Sequence, residues 1–294
     1  MSSLYEAAGV GWPLVAAIAS LFGTSLFALV AAENRGSQRA LEVLVSLWRS
    51  LAAAVLLLCP LQLLVETAAM AEVSLLQAVP LVHEVLTGTH AGRLFIWQIP
   101  LTGLLFAATL ARVSVRTRST MIRTILICAL SAAILVLQAL GSHAIDHGAV
   151  AVAVYVAHEL AAGAWLGALA GLVLSGTLGG APREWIGDAA RSVSHIAGAS
   201  LLVVIVTGLY NGYQALGLDA SLLINSLYGR ILLWKLATLA PVLMLAGYHR
   251  YRVMPAIEEG CTQAVLLRSV AAECALLIAV LGWSALLANS PPPH

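Results

Sequence analysis

The stretch Gly141-Ser142-His143-Ala144-Ile145-Asp146-His147 sets two imidazoles and a carboxylate within five residues, and His158 follows shortly after. Imidazole suits copper, zinc, iron and nickel, whereas sulfur ligands favour Cu(I). His83 and His90 lie earlier in the chain. Glu66 and Met70 stand four residues apart, a spacing that puts them on one face of a helix. Metal ligation is the chemistry these residue types offer. Each histidine alone is an ordinary surface or packing residue, so the argument rests on their grouping. Cys59, Cys128, Cys261 and Cys274 are scattered without a CxxC pair, which indicates neither a disulfide framework nor a zinc site. Buried cysteine usually acts as a small apolar residue. No nucleophile motif stands beside a base, so a hydrolase is not expected and the chain does not read as an enzyme.

These residues must be held by membrane helices. The 294 residues are 61% hydrophobic and 10% charged, with a mean hydropathy of +0.94, too apolar for a water-soluble domain. A net charge of +1 without a basic cluster gives no sign of nucleic-acid binding. Crossing roughly 30 Å of hydrocarbon takes about 20 apolar residues. Eight runs qualify, at about 10–31, 50–71, 93–111, 121–141, 149–175, 195–216, 229–249 and 266–288. The expected fold is all-α: a polytopic membrane protein, a bundle of about eight transmembrane helices in one domain over 1–294. Val30-Ala31-Ala32 looks like a signal cleavage site, but Met1 to Trp12 carries no positive charge, so the first run reads as a retained helix. Gly163, Gly167 and Gly171, at four-residue spacing, predict a groove for close packing of a neighbouring helix.

Arginine placement sets the orientation. The loops after spans 1, 3, 5 and 7 hold twelve arginines, and the opposite side only Arg93 and Arg230. Both termini are therefore expected in the periplasm. His83, His90, His143, His147 and His294 then fall on the periplasmic side. His158 lies roughly 13 Å deep at 1.5 Å per residue, and His195 and His249 lie at the cytoplasmic side. Glu66, Gln98, Gln138, Glu159, Asn211 and Lys235 also sit in the outer halves of their spans, which implies a wet vestibule open to the periplasm. Glu273 is the exception, in the inner half. Lys235, the one lysine, could be neutralised by Glu159 or Glu66.

Short stretches in order along the chain resemble the CopD copper-resistance family of bacterial inner-membrane proteins. They are Thr89-x-x-Gly92 with Trp97-Gln98, Gly141-x-His143-Ala144, His158 with Trp165-Leu166-Gly167, Ser194, and Thr207-Gly208-x-x-Asn211. Tyr228-Gly229-Arg230-x-Leu232-Leu233-x-Lys235, Arg250, Pro255 and Glu273 complete the set. The resemblance implies copper homeostasis in the bacterial inner membrane, with copper ion of unassigned oxidation state moved from periplasm to cytoplasm. It also implies a periplasmic CopC-type copper-binding protein as a partner, beside the lipid bilayer. It marks His143 and His158 as copper contacts; His147, His83, His90, Glu66 and Met70 follow from the topology. Unlike many members, this chain has no histidine in its first span, and its five methionines make no ladder. Two other readings compete with transport. A transmembrane haem-binding redox protein would need histidine pairs at matching depth, and a non-transporting copper chaperone or scaffold would bind metal without moving it.

Overall fold

In lipid the backbone of a long apolar run has no partner but itself, so each run closes its own hydrogen bonds as a helix. The computed structural model describes residues 2–31, 38–111, 118–141, 145, 147–217, 219, 221–253, 263–288 and 290. The long helices are α1 (Ser2–Val30), α2 (Gln38–Ala71), α5 (His90–Leu110), α6 (Arg118–Leu140), α7 (Ala149–Thr177), α8 (Arg183–Leu216), α10 (Leu227–Tyr248) and α11 (Gln263–Ala288). Short helices α3 (Leu75–Ala78) and α4 (Val82–Gly88) lead into α5, and α9 (Leu222–Asn225) leads into α10. A π turn, His249–Val253, ends α10. Eight helices are long and apolar enough to cross a membrane, and the described residues contain no strand.

Two helices begin about twelve residues before the expected spans. α2 starts at Gln38 rather than near 50, and α8 at Arg183 rather than near 195. Both extensions carry charge and so fall below a membrane hydropathy threshold, yet each keeps an apolar stripe. Ala40, Leu44, Val45 and Trp48 are buried on α2; Trp185, Ile186, Ala189, Ala190 and Val193 are buried on α8. At 34 residues each, these helices run roughly 50 Å, longer than the hydrocarbon is thick.

The centre of the bundle is α1 against α7. The predicted glycine groove is present, and α1 fills it. A Cβ on Gly167 would sit 2.3 Å from the Cα of Gly23, and one on Gly23 would sit 2.0 Å from the Gly163 carbonyl oxygen. Gly171 receives the ring of Phe27, which stands edge-on to Trp185 at 6.2 Å. Trp48 Nε1 donates to Thr24 Oγ1 at 3.0 Å and ties α2 to the same helix. Backbone meets backbone at Gly167, so no rotamer change can absorb a larger residue. Gly167→Val is expected to destabilise the fold by about 3 kcal/mol or more, read as a lowered thermal unfolding midpoint in detergent.

Arginines gather at one end of the bundle. Arg49 donates from Nε to the Thr109 carbonyl at 2.9 Å and from Nη2 to that of Ala111, while Arg123 Nη1 reaches Ala111 at 2.8 Å. These cations satisfy carbonyls that the last turn of α5 leaves open. At the other end, His90 Nε2 pairs with the Leu140 carbonyl at 3.2 Å, joining the start of α5 to the end of α6.

Candidate metal site

His158 lies well inside α7. Gly148 precedes the helix at φ +90°, a conformation that suits glycine and turns the chain into its first turn. The imidazole points at α8, where its Nδ1 lies 2.9 Å from Thr207 Oγ1. The Thr207 hydroxyl also meets the Val203 carbonyl. With its proton turned to that carbonyl, Nδ1 carries the ring hydrogen and Nε2 a lone pair, the form in which imidazole ligates metal. Gly208 lies beneath the ring, with Cε1 3.5 Å from where its Cβ would stand. The Thr207-Gly208 pair thus holds the ring in position from a helix 49 residues away.

Glu159, the next residue of α7, has a buried Oε2 with no hydrogen-bond partner among the described residues. Lys235 of α10 is the charged neighbour of both His158 and Glu159. Tyr155, one turn earlier on α7, stands beside Glu159, and Tyr228 of α10 is near it. Of the two expected partners for Lys235, Glu159 is the neighbour found. Imidazole and carboxylate are both metal-ligating types, and α7 carries the two at consecutive positions with Lys235 as the charged neighbour of each.

A second polar group lies on α2, α5 and α6. Gln62 Nε2 donates to Glu66 Oε1 at 2.8 Å, and Gln138 Nε2 to the buried Gln98 Oε1 at 3.3 Å. The Cys59 thiol lies 3.9 Å from the same Gln98 oxygen. No hydrogen bond or ion pair among the described residues links this group to the His158 group.

The other expected ligands lie apart from His158. His83 is exposed on α4, His90 is exposed at the start of α5, and His147 is exposed ahead of α7. Met70 is 54% exposed although it shares a helix with half-buried Glu66. His143, Asp146 and His294 lie outside the described residues. Among the described residues no three of His, Cys, Asp and Glu come together as a metal-binding group. Thr207, which holds the His158 ring, was visible in the sequence only as part of a short motif without a role.

The structure also exposes a repeat. Thr89-His90-Ala91-Gly92-Arg93-Leu94-Phe95-Ile96-Trp97-Gln98 and Ser226-Leu227-Tyr228-Gly229-Arg230-Ile231-Leu232-Leu233-Trp234-Lys235 share one pattern and one construction. Thr89 and Ser226 each cap their helix by accepting from the backbone N–H three residues on, at 2.9 Å in both. Each glycine faces the short helix that precedes the cap: a Cβ on Gly92 would lie 1.9 Å from the Val85 carbonyl oxygen, and one on Gly229 2.2 Å from that of Leu222. α5 and α10 are therefore counterparts, and Gln98 occupies the place that Lys235 holds in the second half.

Two family models match the chain, the copper resistance protein D-like N-terminal domain over residues 7–152 and copper resistance protein D over residues 187–287. The chain belongs to the copper resistance protein D family. It is a multi-pass membrane protein of a family tied to copper resistance, as the resemblance implied. The boundary between the two matches falls between the halves that carry the repeat. No curated protein and no solved structure matches the chain.

Proposed function

We propose that this protein moves copper across the bacterial inner membrane from periplasm to cytoplasm, with His158 as the ligand the ion meets inside the bilayer. The carrying observation is the Thr207–His158 hydrogen bond, which holds a metal-ligating imidazole in place inside the membrane-spanning part of α7. Imidazole and carboxylate together accept copper, and copper here is cargo. The orientation rests on the arginine imbalance: the end bearing Arg49, Arg123 and the π-turn arginines faces the cytoplasm. His143, His147, His83 and His90 then stand at the mouth as collecting residues, with Glu66 and Met70 on a separate approach, and a CopC-type protein delivers copper there.

Purified protein in proteoliposomes, without partners, should accumulate copper in the lumen above the level of empty vesicles. Binding without accumulation would assign it a chaperone or scaffold role, and a haem absorption band in the purified protein would replace the copper reading with a redox one. A reporter fused after His294 should be active only as a periplasmic fusion; cytoplasmic activity would reverse the direction.

A further inference from the structure

α8 carries a second feature on the face turned away from α7. Arg191, His195, Gly198, Leu202, Val206 and Leu209 recur at three- and four-residue spacing and so form one stripe along the helix. Ala189, Val193, Ser200 and Thr207 line the opposite face and are buried, where α8 packs on α7. The stripe is cationic at its start and apolar beyond. Arg191 and His195 are exposed, and so are Leu202, Val206 and Leu209. The change falls near residue 195, where the charged extension of α8 gives way to its apolar run.

At the cationic end Arg191, Ser194 and His195 line a cleft of about 250 Å³ together with Arg250 of the π turn. Arg250 Nη1 lies 3.6 Å from where a Cβ on Gly198 would stand, so its guanidinium reaches across to α8. Two guanidiniums, an imidazole and a hydroxyl thus meet at one place, a set rich in donors. Phosphate oxygens are acceptors, and the planar fork of arginine binds two of them at once. Asp188 pairs with Arg191 Nη2 and offsets one of the two guanidinium charges. The charge left over is the complement of a single phosphodiester. Glu273, the acid of neighbouring α11, is turned into the bundle instead. Its Oε1 accepts from Trp165 Nε1 at 3.0 Å, and its Oε2 lies 2.8 Å from His249 Nδ1.

We propose that this cleft holds the phosphate of an anionic phospholipid, whose acyl chains lie along Leu202, Val206 and Leu209. Basic pockets between membrane helices bind acidic headgroups in this way. Charge decides the occupant. A zwitterionic headgroup would bring an ammonium to a site that already holds a surplus cation. A second copy docking by the same face would set two such clefts together, like charge against like. Arg250 follows α10, which packs on α11, whereas the other lining residues belong to α8, which packs on α7. The phosphate therefore joins two helices at their arginine-bearing end. Binding here requires neither copper nor a direction of transport.

Purified protein in neutral detergent, titrated with dioleoylphosphatidylglycerol, should unfold at a thermal midpoint several degrees higher. Dioleoylphosphatidylcholine should leave the midpoint where it was. Arg191→Gln and Arg250→Gln should each raise the half-saturating phosphatidylglycerol by about tenfold or more, the worth of one charged hydrogen bond. Both arginines are exposed, so the lipid-free midpoints should stay near wild type, and either variant suffices if the other fails to fold. Arg39→Gln, which removes an exposed arginine of α2 outside the cleft, should change nothing. Equal stabilisation by the two lipids, or wild-type lipid dependence in the arginine variants of the cleft, would overturn the site. An equal loss in Arg39→Gln would overturn it too, leaving general attraction to a charged surface. Inorganic phosphate should act only at concentrations about tenfold higher or more, since it lacks the chains that meet the apolar stripe. Phosphate matching the lipid, with the same dependence on Arg191 and Arg250, would keep an anion site and overturn the lipid as its occupant.

Discussion

His158→Ala should reduce copper uptake into proteoliposomes more than about a hundredfold while shifting the thermal midpoint by only a few degrees. Partners that merely orient a metal ligand typically cost about 10- to 100-fold in affinity when removed, so loss of the ligand itself exceeds that range. The stability cost is small because the ring's hydrogen-bond partners are Thr207 and the Val204 carbonyl of one helix, each worth roughly 1 kcal/mol net. Thr207→Val supplies the graded control. It removes the hydroxyl that pairs with Nδ1, which frees the ring to turn, and uptake should fall by about 10- to 100-fold. Undiminished uptake by His158→Ala would remove the ligand role. Loss of uptake together with a large fall in the midpoint would make His158 a packing residue.

How much of this could be read from the chain depends on what each signal measures. Hydropathy located all eight spans because burial in lipid needs only apolar length, and the four-residue glycine spacing on α7 marked the face that α1 fills. The same measure missed the starts of α2 and α8, where the extensions carry charged residues alongside a buried stripe. Depth along α7 singled out His158, but depth does not say what a ring faces. Thr207 and Lys235 come from other helices, and only the packing brings them near. The His249–Glu273 pair was hidden for the same reason, since the two residues looked unrelated on separate spans. One signal lay in plain view: the repeated cap, glycine, arginine and tryptophan of α5 and α10, which sets Gln98 and Lys235 in equivalent places.

That equivalence yields the other large expected effect. Because α5 carries an amide at this position, Lys235→Gln should be sterically tolerated in α10, leaving the charge change as its main consequence. The described residues around Glu159 then offer no cation, and its carboxylate keeps Tyr155 as a hydrogen-bond partner with Oε2 unpartnered. Lys235 and Glu159 act on each other through space, with no close ion pair between them among the described residues, so the loss is about 1–2 kcal/mol. The thermal midpoint should drop by roughly 2–6 °C. Glu159→Gln should cost a similar amount by stranding Lys235, and it should also suppress uptake strongly, because an uncompensated ammonium beside His158 repels the incoming cation. The Glu159→Gln/Lys235→Gln variant removes both charges, so its midpoint should return most of the way to wild type, with the coupling read from the four-member cycle. Uptake by the double variant should stay low if the Glu159 carboxylate takes the part proposed for it in balancing copper's charge. Additive losses of stability in the double variant would show that Lys235 and Glu159 do not act as a pair. Recovery of full uptake there would assign Glu159 to neutralising Lys235 and leave copper to the imidazole alone.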